Sequence, residues 1–298
     1  MALLDRAIVR VLPFVPRELV RRLASRYIAG PTLDDAVRVV RKLNAEGKLA
    51  TIDVLGEEIR DGDAAREIAL AYHRVFARID DERLDSNVSI KLTALGLQLD
   101  EAMCRLHVEA LVRDATERDN FVRIDMEDSS TTDATLRLYR DLRAAGHENV
   151  GVVLQARLRR TLADAQGLPN VRLCKGIYLE GPAIAYQDAD EIRASFRATL
   201  ATLFDQGSYV GIATHDEALI ADALRQVRER GLRREQYEFQ MLLGVRPERG
   251  DELVRDGHRL RVYVPFGEHW YEYALRRLQE NPAIAGYAAA DTLRRLRP

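Results

Sequence analysis

Apolar and polar positions along this chain follow two rhythms. Short runs rich in β-branched residues recur at 51–55 (TIDVL), 88–92 (VSIKL), 121–125 (FVRID), 150–155 (VGVVLQ), 171–175 (VRLCK), 209–213 (YVGIA), 237–242 (YEFQML) and 261–265 (RVYVP). Between them apolar residues return every three or four positions, as in LRLYRDLRAAG over 136–146 and EALIADALRQVRERG over 217–231. A period near two marks a strand, and a period near 3.6 marks an amphipathic helix. Strands alternating with helices imply parallel pairing through crossover helices. The runs VGVVL and VYV are apolar without interruption, as strands covered on both faces are. Eight such units in roughly 230 residues predict an α/β fold of the closed (βα)8 TIM-barrel type rather than an open sheet.

Residues 1–48 precede the first run and read as an N-terminal helical arm, broken near Gly30 and Pro31. Residues 49–298 read as the barrel and catalytic domain. The arm carries Arg6, Arg10, Arg17, Arg21, Arg22 and Arg26 against Asp5 and Glu18. Such a basic amphipathic stretch suits either an anionic membrane surface or a helix packed on the barrel with its charges in water.

Composition narrows the class. The 298 residues are 47% hydrophobic and 31% charged, with a net charge of −2. That is ample for one large core and gives no electrostatic footprint for nucleic acid. Two cysteines, Cys104 and Cys174, make no disulfide framework, so a cytoplasmic, reducing home is expected. No apolar run approaches the roughly 18 residues of a spanning helix, and Asp5, Arg6 and Arg10 interrupt anything resembling a secretory signal. Lysine is scarce: Lys42, Lys48, Lys91 and Lys175 are the four among 45 basic residues, and two of them end predicted strands.

In a barrel of this type the active site is built where the strands end. The polar residues at those ends are Glu57, Lys91, Asp125 with Glu127, Gln155, Arg172 with Lys175, Thr214 with His215, Gln240, and Tyr263. Each has a plain structural account. Lys91 can pair with Asp125, His215 can be a satisfied core histidine, Gln155 and Gln240 can bond loop backbone, and Arg172 and Lys175 can snorkel from the rim. That all eight strands end this way favours use, because burying polar groups is costly. No metal site is expected, since the chain has neither an HxH pair on an early strand nor HExxH, and no Gly-rich phosphate loop is present. Lys91 or Lys175 would serve a Schiff-base lyase. Arg172, Lys175 and Gln155 would equally supply positive charge and donors to a flavin. Beyond the last strand, Tyr273, Arg276 and Arg277 share one helical face, a group suited to a small carboxylate or simply to solvent.

The strand-end segments DVLGE (53–57), SIKLTALG (89–96), RIDMED (123–128), VVLQA (152–156), VRLCKGIYLE (171–180), ATHDE (213–217), YEFQMLLG (237–244), YVPFG (263–267) and YALRRLQEN (273–281) resemble, in order, those of the proline dehydrogenases, FAD enzymes that oxidise L-proline. The run YLEGP followed by AYQ is similar to the small single-function bacterial branch, and the length leaves no room for the aldehyde dehydrogenase module of the fused proteins. The resemblance implies a distorted barrel whose eighth helix lies above the mouth. Arg276 and Arg277 would hold the proline carboxylate. Tyr273, Tyr263 and Leu242 would pack around its ring, and Lys91 and Asp125 would form a site pair. Glu57 would close over the site by pairing with the arginine helix.

For FAD the resemblance implies contacts from Gln155, Arg172, Lys175, Gly176, Thr214 and His215, with Gln240 and Glu238 beside them. It further implies hydride transfer from proline C5 to flavin N5, giving Δ1-pyrroline-5-carboxylate in the first step of proline catabolism to glutamate. Electrons would pass to a quinone, with peripheral contact at the inner face of the cell membrane and transient contact with a pyrroline-5-carboxylate dehydrogenase. The chain departs from the family's frequent choices at Arg157, Ile177, Leu179 and Leu243. A Schiff-base lyase and a non-catalytic barrel that binds an amino acid are the competing readings of the same residues.

Overall fold

Eight parallel strands close into one barrel in chain order, with the first strand paired to the last. The computed structural model describes residues 26–56, 59–268, 270 and 271. The elements run α1 (Leu33–Ala45), β1 (Leu49–Val54), α2 (Gly62–Asp81), β2 (Ser86–Ile90), α3 (Glu101–Glu117), β3 (Val122–Ile124), α4 (Thr132–Ala144), β4 (Val150–Gln155), α5 (Thr161–Asp164), β5 (Asn170–Cys174), α6 (Ala189–Asp205), β6 (Tyr209–Ala213), α7 (Glu217–Glu229), β7 (Tyr237–Leu242), α8 (Pro247–Arg255) and β8 (Leu260–Phe266). Each predicted run is a strand. Aspartates 61, 100, 188 and 216 cap the helices that follow them, each accepting from backbone N–H groups of the first turn.

Alternation along the strands sorts residues onto two faces. One set, including Ile52, Ile90, Ile124, Val152, Leu173 and Ile212, is fully or almost fully buried with the apolar helix faces. Burying each such side chain stabilises the fold by roughly 1.5–3 kcal/mol. The other set fills the barrel interior and is largely polar: Asp53, Lys91, Arg123, Asp125, Gln155, Arg172, Glu238, Gln240, Arg261 and Tyr263. Branched aliphatic layers are the usual filling of such a barrel. Here glycines make room for long polar chains. A Cβ at Gly151 on β4 would lie 2.3 Å from Arg123 Nη1, and one at Gly211 on β6 would lie 2.5 Å from Gln240 Nε2.

The segment before β1 has a definite place. Ala29 N–H donates to Pro265 O at 2.9 Å, and Gly267 N–H donates to Gly30 O at 3.0 Å, so residues 29 and 30 run beside the end of β8. Gly30 has a left-handed φ of +147°. Thr32 and Asp35 then form a reciprocal capping box that starts α1. This helix buries Ala36, Val37, Val40 and Leu43 against β1 and β8, covering the seam where the barrel closes. The basic positions Arg6, Arg10, Arg17, Arg21 and Arg22 lie outside the described residues. Among the described residues no helix is long and apolar enough to cross a membrane.

Candidate active site

At the C-terminal ends of the strands, a single hydrogen-bonded ladder joins five strands. Lys91 at the end of β2 donates to Asp53 Oδ1 on β1 at 2.7 Å and to Tyr263 Oη on β8 at 3.3 Å. Tyr263 Oη donates to Asp125 Oδ2, just past β3, at 2.7 Å. Asp125 Oδ1 accepts from Arg172 Nη1 on β5 at 2.6 Å. The Arg172 guanidinium also lies over the Tyr263 ring, 5.3 Å from its centroid. Lys91 thus pairs with Asp53, and Asp125 takes Arg172, where the sequence suggested a direct Lys91–Asp125 pair. Nor does Arg172 snorkel, being buried at 5% exposure.

Deeper in the barrel the ladder continues. Arg172 Nε donates to Gln240 Oε1 at 2.5 Å, Gln240 Nε2 donates to Glu238 Oε1 at 2.6 Å, and Arg261 Nε donates to that same oxygen at 2.7 Å. Burial pushes the Glu238 carboxyl up, but the charge and hydrogen bond of Arg261, with bonds from Gln240 and Tyr209, outweigh it and hold the pKa at about 2. On the other side of Lys91, the Tyr72 hydroxyl donates to Ser89 O at 2.6 Å and accepts from Val54 N at 3.2 Å, fixing β1 against β2.

A second group lies around the ends of β4 to β7. Gln155 Nε2 donates to Glu127 O at 2.7 Å, while the Glu127 carboxylate takes the Thr93 N–H and hydroxyl. Gly176 has φ +94°, and a Cβ there would sit 2.7 Å from Gln155 Oε1, so only glycine lets the backbone after β5 lie against that amide. Lys175 reaches Asp216 Oδ2 at 3.3 Å. Burial raises the Asp216 pKa, yet Arg193 and Lys175 bring it below the ordinary value. Thr214 Oγ1 accepts from Asp216 N at 3.1 Å. His215 Nε2 accepts from the Leu242 backbone N–H at 2.9 Å, which leaves the neutral ring's proton on Nδ1. Glu180 Oε1 and Oε2 take the Ser129 N–H and hydroxyl at 2.7 and 2.8 Å, tying the loop after β5 to the loop after β3.

Two observations bear on what the site could hold. Arg172 Nη2 is buried and has no hydrogen-bond partner, although the other two nitrogens of that guanidinium are engaged. A buried cationic donor left unmet costs free energy, which either a ligand or an internal water at this nitrogen would offset. The loop after β5 also exposes Ile177, Leu179 and Ile184, with Leu179 93% exposed, an apolar lip of the kind a flat ring system covers.

The structure therefore brings Lys91, Asp125, Tyr263, Arg172 and Gln240 into one ladder, and at the same rim sets Gln155 against Gly176, Lys175 and Thr214 each against Asp216, and His215 against the Leu242 backbone. Glu57, Tyr273, Arg276 and Arg277 lie outside the described residues. Asp53 and Tyr72 are constituents that the sequence did not single out. Alternation along TIDVL already places Asp53 on the same face as Thr51, which was the available signal.

Comparison with known proteins gives the family and the fold. The profile of the family described as Proline dehydrogenase matches residues 36–289. Proline dehydrogenase 1 of Bacillus subtilis is 38% identical over 276 residues, spanning 91% of each chain. Proline dehydrogenase of Deinococcus radiodurans is 34% identical over 286 residues, spanning 93% of this chain and 92% of its own. The crystal structure of proline utilization A from Bdellovibrio bacteriovorus superposes with a TM-score of 0.82 at 23% identity, over 92% of this chain and 36% of that one, a likeness of fold. On the profile match and these relatives, the chain belongs to the proline dehydrogenase family.

Proposed function

We propose that this protein is an FAD-dependent L-proline dehydrogenase that oxidises proline to Δ1-pyrroline-5-carboxylate, the first step of proline catabolism to glutamate. The observation that carries the reading is Arg172, pinned by Asp125 and Gln240 while its third nitrogen stays unmet. FAD, when bound, would supply the two-electron acceptor for the hydride that leaves proline C5. The chain's own residues hold, orient and charge the site. Arg172, Lys175, Gln155, Thr214, His215 and the Gly176 backbone form the cofactor side, where a fixed cation favours an electron-rich, anionic ring. Lys91, Asp125, Tyr263 and Leu242 form the substrate side. Asp125, held by both Tyr263 and Arg172, and Lys91, held by Asp53, are fixed before substrate arrives, which is a positioning effect.

The carboxylate anchor is assigned to Arg276 and Arg277, with Tyr273 against the ring and Glu57 closing over them. The resemblance carried by YALRRLQEN (273–281) supports this assignment. The division into an arm at 1–48 and a catalytic barrel at 49–298 belongs to the same reading. The electrons are assigned to a quinone, with the protein cytoplasmic and peripheral at the inner membrane face, and with a pyrroline-5-carboxylate dehydrogenase as a transient partner. A Schiff-base role is disfavoured because Lys91 and Lys175 are each already engaged by a carboxylate, Asp53 and Asp216.

The test is an absorbance scan of purified protein supplied with FAD, before and after anaerobic addition of L-proline. A bound flavin spectrum bleached by proline is expected. Protein that takes up no flavin, or holds a flavin that proline does not reduce, overturns the reading.

A further inference from the structure

Gln240 is committed at both ends of its amide. Glu238 is ionised and can only accept, so the Gln240 nitrogen must face it, and the amide oxygen must then face Arg172. Glu238 itself cannot turn away, because its bonded oxygen is shared with Arg261, which is tied in turn to Ala50 O at 2.6 Å. The direction of every bond from Arg261 to Arg172 follows from this one ionised carboxylate. The crossing needs space, and Gly211 on β6 provides it. Glycine there is not required by backbone conformation, since Gly211 is absent from the left-handed φ region. It is required by the amide, whose Nε2 would lie 2.5 Å from a Cβ at that position.

We infer that Glu238, Gln240 and Gly211 form a positioning relay that sets the rotation of the Arg172 guanidinium, so that its free nitrogen is presented to the cofactor. Gln240 therefore acts through Arg172 rather than on the flavin. The relay rests on the proposed reading of Arg172 as a flavin contact. With Nε bound to Gln240 and Nη1 to Asp125, the guanidinium has two fixed points and one orientation. Loss of the Gln240 contact leaves a single fixed point, about which the fork can swing.

Two variants perturb the relay differently. Gln240→Met removes the acceptor. Gly211→Ala keeps every polar group but drives a methyl group into the flexible end of Gln240, which can yield at small cost to the fold. FAD is titrated into apo-protein and followed by flavin fluorescence quenching, and the potential of bound flavin is measured by spectroelectrochemistry. Each variant is expected to raise the FAD Kd roughly tenfold or more, the scale of one charge-assisted hydrogen bond. Each should lower the flavin midpoint potential, which a purely structural lesion would leave in place. In an Arg172→Ala background neither change should add to the effect, because both act through that side chain. Wild-type Kd and potential in both variants, or effects that multiply with Arg172→Ala, overturn the relay while leaving the flavin reading intact. Full FAD affinity in Arg172→Ala alone removes Arg172 as a contact and takes the relay with it.

Discussion

The Glu238–Arg261 pair makes acid stability calculable. Glu238 is 1% exposed, and its carboxyl is held at about 2 against an ordinary 4.5. A carboxyl whose pKa is depressed by folding stabilises the native state above its unfolded pKa, and that contribution is lost as pH falls through the folded value. The difference, at about 1.4 kcal/mol per pH unit, is worth roughly 3 kcal/mol near pH 7 and about 2 kcal/mol near pH 3.5. Glu238→Gln removes the charge at every pH. The variant is therefore expected to be less stable than the parent by roughly 3 kcal/mol at neutral pH, within the range found when one partner of a buried pair is removed. The gap should shrink by about a third near pH 3.5. Urea unfolding followed by circular dichroism, at both pH values, reads the gap directly. Adding Arg261→Met should recover part of the loss, because it removes the buried guanidinium that Glu238→Gln leaves without a counter-charge. A gap that does not change with pH, or a double variant no more stable than the single one, would refute the reasoning.

Arg276→Met and Arg277→Met should each raise the proline KM roughly ten- to a hundredfold, the loss of a charge-assisted contact, while the flavin content of the purified protein stays full. Unchanged KM in both would place the carboxylate elsewhere. Glu180→Ala removes both acceptors of the Ser129 N–H and hydroxyl, so the loop carrying Lys175 and Gly176 should open. Faster proteolysis within residues 175–187 and a roughly five- to thirtyfold weaker FAD Kd are expected, and an unaltered cleavage pattern would count against the latch.

The eight strands could be read from the sequence because each is a short run rich in β-branched residues whose alternate positions face the apolar helix layer. Helix ends were less legible. The pattern at 217–231 continues past α7, which stops at Glu229 as the chain turns through Gly231 at φ +59°. The short α5 carries too few residues to show a period. Strand ends exposed most of the polar cast of the site, since position along a strand is a property of sequence. Partnership around the barrel is not. Lys91 has Asp53 on one neighbouring strand and Asp125 beyond the other, and only coordinates show that Asp53 takes the ammonium while Asp125 turns to Arg172. The same gap hid the relay. Gly151 and Gly211 interrupt otherwise β-branched runs, and a glycine within a strand is a sign that something approaches closely. What approaches comes from another strand, far away in the chain: Arg123 in one case and Gln240 in the other. A polar barrel interior is specified by such crossings, each needing a long side chain on one strand and a missing one opposite. The substitutions that test it most sharply are therefore the small ones, where a single methyl group moves one amide and leaves every charge in place.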